Sequence, residues 1–239
     1  MTNNRIQQIF RPALLCSALM LLSGNSTADT MLLVGGSTSR DADYAYVGAI
    51  IPIGSKLNEN GLRVRVWGEH LSYDYGSGAT AHSASATGTA LGLGYRFGLS
   101  PSAAVTVGIN ARHRNTNLSL PDPFNKESGS HTRGVLSLDG QFVAADKVNV
   151  LFDVERQFSP NAYWARARVP FVVTSGGLTL GPEVSAHGSS QYHARLFGLV
   201  LGGLLPSGKG ADLSFLLGTS KISKRSSTGY GGVEFVYQF

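Results

Sequence analysis

Gly229-Tyr-Gly-Gly-Val-Glu-Phe-Val-Tyr-Gln-Phe239 is the stretch that decides the fold. Successive side chains of a strand point to opposite faces. Val233, Phe235, Tyr237 and Phe239 therefore share one face, and Gly232, Glu234, Val236 and Gln238 the other. One apolar-aromatic face ending on Phe fits the closing strand of a bacterial outer-membrane β-barrel. Its apolar face would meet lipid and its last aromatic would sit in the periplasmic girdle. A core strand of a soluble sandwich alternates too, so the rest of the chain has to decide.

The same period of two recurs along nearly the whole sequence. Leu62, Val64 and Val66 alternate with Arg63, Arg65 and Trp67; Val105, Val107, Ile109 and Ala111 alternate with Thr106, Gly108, Asn110 and Arg112. Val148, Val150, Phe152 and Val154 alternate with Asn149, Leu151, Asp153 and Glu155, and Tyr163, Ala165, Ala167 and Val169 with Trp164, Arg166 and Arg168. The pattern predicts twelve strands, near residues 30–38, 43–53, 61–72, 86–97, 103–115, 131–143, 147–156, 162–173, 177–187, 191–204, 211–220 and 229–239. The fold class is therefore all-β, a single antiparallel transmembrane β-barrel.

Connection lengths agree in outline. Gly98–Ser102, Ala144–Asp146 and Thr174–Gly176 read as short turns on one side, Tyr73–Ser85 and Thr116–Ser130 as long loops on the other. Barrels of this kind have short periplasmic turns and longer outer loops, which puts both termini in the periplasm. Gly54–Asn60 and His187–Ser190 break the pattern.

The N-terminus reads as a secretory signal. Arg5 and Arg11 flank the start of an apolar run, Pro12–Leu22, and Ser26-Thr27-Ala28 offers a cleavage site before Asp29. The expected organisation is a signal peptide over 1–28 and one outer-membrane barrel domain over 29–239. Cys16, the only cysteine, falls within that signal, so the mature chain would have no disulfide. Cleavage also lowers the net charge from +5 to +3, with 18 basic against 15 acidic residues. That gives no case for nucleic-acid binding. Mean hydropathy is close to zero, as expected where every second residue of a strand faces a polar lumen.

If the apolar faces look outward, Arg63, Arg65, Glu69, Arg112, Asp139, Asp153, Glu155, Arg166, Arg168, Glu183, His193, Arg195 and Glu234 gather inside. They would form either a polar passage whose arginines bind an anionic or hydroxyl-rich substrate, or a salt-bridged plug. Residue by residue the plug is the simpler reading, because lone buried charges are costly. Tyr44, Tyr46, Trp67, Tyr73, Tyr75, Tyr163 and Trp164 lie near the expected outer strand ends. They could stack against sugar rings, but an interfacial aromatic belt is the reading preferred here.

A lipid-modifying barrel enzyme, such as a lipid A deacylase or a phospholipase, would need a serine, a histidine and an acid near the outer rim. His187-Gly-Ser-Ser190 and His82-Ser83 supply residue types but no nucleophile motif. Gly203-Leu-Leu-Pro-Ser-Gly208-Lys209 fails as a phosphate loop, because Gly210 stands where Ser or Thr is required. Neither a cofactor motif nor a metal-ligand cluster is present in the sequence, and no catalytic residues are expected.

Several segments resemble the BcsS-like proteins of bacterial cellulose biosynthesis. They are Tyr44–Ala49, Gly61–Gly68 with Ser72–Tyr75, Leu93–Arg96, Asp122-Pro123, Tyr163–Arg168, Gly181–Val184 and Gly229–Gly232. Tyr-Trp-Ala-Arg and Gly-Pro-Glu are the most specific. The resemblance implies a non-enzymatic outer-membrane accessory to cellulose or exopolysaccharide production, in contact with outer-membrane lipid. The implied partners are the polysaccharide and a cellulose synthase complex. A general small porin is the first alternative, a lipid-modifying enzyme the second.

Overall fold

The computed structural model describes residues 29–76, 82–158, 161–190, 192–205, 210–223 and 225–239. The expected signal segment, residues 1–28, lies outside them. Among the described residues thirteen strands follow one another: β1 (Met31–Ser39), β2 (Ala42–Ile53), β3 (Gly61–Tyr75), β4 (His82–Ser100), β5 (Ala103–Leu118), β6 (Gly129–Ala145), β7 (Val148–Gln157), β8 (Ala162–Arg168), β9 (Phe171–Val172), β10 (Thr179–Gly188), β11 (His193–Gly202), β12 (Ala211–Ile222) and β13 (Thr228–Gln238). β8 and β9 both run between β7 and β10, so together they make one stave, interrupted at Val169-Pro170. Each stave pairs antiparallel with its sequence neighbours, and β13 pairs with β1. The result is the closed twelve-stave barrel that the alternation predicts.

Closure follows from the solvent. Hydrocarbon offers no partner to an unpaired N–H or C=O, so a sheet facing lipid must leave no edge. The seam runs from Met31 opposite Gln238 to Ser39 opposite Tyr230. Thr30 and Phe239 extend it by exchanging backbone bonds of 2.8 and 3.1 Å. On β13, Val233, Phe235 and Tyr237, with Phe239 just beyond it, are exposed on the outer face, while Tyr230 and Glu234 are buried inside. Leu91, Leu93, Val107, Ile109, Phe197, Leu199, Phe215 and Leu217 continue the exposed apolar band around the wall.

Two connections are shorter than the sequence suggested. β3 runs on to Tyr75 and β4 starts at His82, so most of the expected Tyr73–Ser85 loop is strand. On the inner face of β4 the small residues Ala84, Ala86, Gly88, Ala90, Gly92 and Gly94 succeed one another, and of these Ala84 falls within the expected loop. Such small residues resemble a loop by composition, yet here they leave space for bulky side chains from the neighbouring staves. A carbon branch at Gly88 would stand 2.9 Å from the Glu69 carboxylate. β5 and β6 likewise lengthen, leaving only residues 119–128 between them.

Candidate functional site

The inward faces define an elongated cavity of about 470 Å³. The pleat places Arg65, Trp67, Glu69, Leu71, Tyr73 and Tyr75 of β3 on one interior row. Asp153, Glu155 and Gln157 of β7, Trp164, Arg166 and Arg168 of β8, and Glu183 of β10 face the same space.

Charges inside are arranged as chords across the barrel. Arg65 of β3 faces Asp139 at 3.6 Å and Glu155 of β7 at 3.8 Å. Arg112 of β5 donates to Glu155 and stands 3.7 Å from Glu69, to which Arg114 donates through Nε at 3.0 Å. A second group centres on Glu234 of β13. It accepts from Arg166 at 2.9 Å, from Arg168 at 2.6 Å and from the hydroxyl of Tyr46, while Arg168 also binds Glu183. Removing water from these groups is costly, and near-complete pairing offsets that cost.

Of the thirteen residues expected inside, Arg65, Glu69, Arg112, Asp139, Asp153, Glu155, Arg166, Arg168, Glu183 and Glu234 stand on the interior wall. Three do not line the cavity. Arg63 shares the inward parity but is wholly enclosed by the β2–β3 turn. Its guanidinium donates to Ser55 Oγ at 3.0 Å and to the carbonyls of Lys56, Leu57 and Glu59 at 2.8, 3.2 and 2.5 Å. His193 and Arg195 are a correction: they share the outer face of β11 with the exposed Phe197 and Leu199. The inward face of β11 carries Ala194, Leu196 and Val200 instead. Polarity misled there, because a strand's rim beyond the lipid can carry polar groups outward.

The aromatic belt reading is overturned as well. Tyr44, Tyr46, Trp67, Tyr73, Tyr75 and Trp164 face inward; of the seven, only Tyr163 lies on the outer side, 3.4 Å from His193. Trp67 already shared its parity with Arg65, and Trp164 with Arg166, so alternation carried the signal. Tyr46 and Trp67 are nearly parallel, with planes 10° apart and centroids 4.9 Å apart. Arg65 lies 5.8 Å from the Trp67 centroid and Arg166 5.2 Å from that of Trp164.

At the end away from the termini, apolar side chains close the mouth. Tyr73 and Tyr75 of β3, Ala84 of β4, Tyr192 of the β10–β11 connection, Ala194 of β11 and Ile222 of β12 form one buried cluster. The β5–β6 connection adds to it, with Asn125 donating to Tyr75 Oη at 2.8 Å and Tyr75 to Asp122 at 3.1 Å. Burial pushes the Tyr192 hydroxyl above its ordinary value, so it stays protonated. At the end holding the termini, the inward-facing Gln141 and Leu151 are exposed, Leu151 by 36 %, so that mouth is open.

The histidines considered for hydrolysis lack an acid partner among the bonds described. His187 Nδ1 pairs with Tyr192 Oη at 3.2 Å, and His82 stacks on Tyr75. On the outer face His113 bridges Thr132 and Ser130 at 2.9 and 3.2 Å. No group of three or more metal-ligating side chains occurs among the described residues.

The barrel is similar in fold to solved outer-membrane proteins. The KdgM porin matches with a TM-score of 0.54 and 10 % identity, over 87 % of this chain and 99 % of that one. A COG4313 outer membrane channel from Pseudomonas putida F1 matches with a TM-score of 0.54 and 12 % identity, over 90 % and 97 %. The β domain of the Bordetella autotransporter BrkA gives 0.54 at 10 % identity, over 89 % and 100 %. Among curated protein sequences none matches. The family model described as cellulose biosynthesis protein BcsS spans residues 31–239, from the first stave through the last, and the chain therefore belongs to the BcsS family of cellulose biosynthesis proteins.

Proposed function

We propose that this protein is a non-enzymatic outer-membrane accessory that assists the export or surface organisation of cellulose, with both termini and the short turns in the periplasm. Family membership carries the link to cellulose biosynthesis. One observation carries the mechanistic part: a cavity lined by flat aromatic rings and paired charges, open at the end with the termini and closed at the other by Tyr73 and Tyr192. Such an interior suits a chain of rings bearing hydroxyl groups, presented from the periplasm after the signal segment is removed. The polysaccharide and its synthase complex are the partners this reading names.

A general porin would keep a passage open at rest, which the tyrosine closure opposes. A hydrolase would need an acid behind His187, and that ring turns to Tyr192 instead. The test is a chromosomal deletion complemented with this chain, scored for cellulose at the cell surface while synthase abundance is held constant. Reduced or misplaced surface cellulose, restored by the chain, is the expected result. Unchanged cellulose would sink the reading.

A further inference from the structure

We propose that Tyr44, Tyr46 and Trp67 form a binding platform for a neutral pyranose chain, reached from the open end of the barrel. The inference rests on the function proposed above for the identity of the sugar, a β-linked glucan. The ligand class, a neutral saccharide, comes from the geometry.

The rings are held as tiles against the inner wall. A carbon branch at Gly48 of β2 would fall on the Trp67 ring, and one at Gly35 of β1 would come within 2.8 Å of the Tyr46 ring. The missing side chains let each aromatic lie flat on the neighbouring strand. Tyr46 and Trp67, with planes 10° and centroids 4.9 Å apart, overlap as an offset stack. Tyr44 extends the surface, 5.6 Å from Tyr46 at 31°. All three line the cavity. Flat apolar faces of this size suit the C–H faces of a sugar ring, the geometry that also makes aromatic rings good stacking partners.

Arg65, Arg112 and Asp153 line the same cavity as the three rings, so donors and an acceptor border it, the mixture a hydroxyl needs, since it both donates and accepts.

Charge selects against an acidic glycan. Six arginines line the cavity against eight carboxylates, so the interior offers no surplus of positive charge to an anion. A polyuronate would meet net repulsion, and an uncharged glucan would not.

The experiment uses the intact protein, extracted from outer membranes into detergent micelles. The chain has two tryptophans, so Trp164→Phe leaves Trp67 as the sole reporter. Titration with cellohexaose should change Trp67 fluorescence saturably, while hexagalacturonate should not. By calorimetry, Trp67→Ala should weaken cellohexaose binding about tenfold or more, and Trp67→Phe by much less. Heat-modifiable migration in gels, unchanged in each variant, would report an intact barrel. Equal binding of cellohexaose by Trp67→Ala would overturn the platform and leave the glucan role standing. So would an absence of cellohexaose binding in a protein whose deletion still lowers surface cellulose. Equal binding of hexagalacturonate would overturn the neutral class.

Discussion

Tyr73 and Tyr192 meet with ring centroids 4.6 Å apart, although one stands at the end of β3 and the other enters from the opposite wall, between β10 and β11. A contact across a barrel's mouth sets what can pass. The protein in a planar bilayer should therefore show low conductance at rest. Tyr192→Ala should raise it several-fold, and a Tyr73→Ala, Tyr192→Ala double variant should add little more, since both remove one contact. A large steady conductance in the wild type would contradict the closure.

Glu234 holds Arg166, Arg168 and Tyr46 together. Glu234→Gln keeps its shape but removes the charge, leaving two arginines short of a partner in the barrel interior. Loss of one member of a buried pair costs about 3–5 kcal/mol. The urea midpoint of the barrel in micelles should fall accordingly, and Glu183→Gln, which touches only Arg168 of that pair, should cost less.

The outer band separates lipid-facing from rim positions. Leu91 lies mid-strand on β4 and is 62 % exposed. Leu91→Arg should destabilise the barrel by roughly 2–4 kcal/mol in lipid, the range for a cation near the midplane. Arg195→Leu, at the rim of β11, should change stability little. Equal effects of the two, read from unfolding in vesicles, would misplace the membrane on this wall.

Arg63 binds the β2–β3 turn through three carbonyls. Arg63→Ala should release that turn, which carries Lys56, to trypsin. Limited proteolysis followed by mass spectrometry should find a cut after Lys56 in the variant and an intact turn in the wild type.

Strand faces were legible because lipid outside and charge inside sort residues by parity, as in Leu62, Val64 and Val66 against Arg65 and Trp67. Stave count and order followed from the same repeat. Strand ends were less legible. On β4, Ser83, Ala84 and Ser85 look like a loop by composition, and only their pairing with Asp74, Tyr73 and Ser72 of β3 gives them a place in the wall. The paired interior was visible as residue types, but the partners were not. Arg168 reaches Glu234 from a stave far away around the ring, a pairing that barrel curvature decides and no local spacing encodes. The inward aromatic rings were legible in parity, since Trp67 alternates with Arg65 and Trp164 with Arg166, but not in their position near the strand ends, which suits an interfacial belt equally well.

The interruption at Val169-Pro170 bears on how the ring gives way. Pro170 accepts a bond from Asn149 at 3.1 Å, and Pro182 across the seam accepts one from Val169 at 3.1 Å. Neither proline has an N–H to return. The wall between β7 and β10 is thus stitched more sparsely than the closing seam between β1 and β13, whose nine register pairs are continuous. Pulled or heated, this cylinder should part along its prolines and not where its two ends were joined.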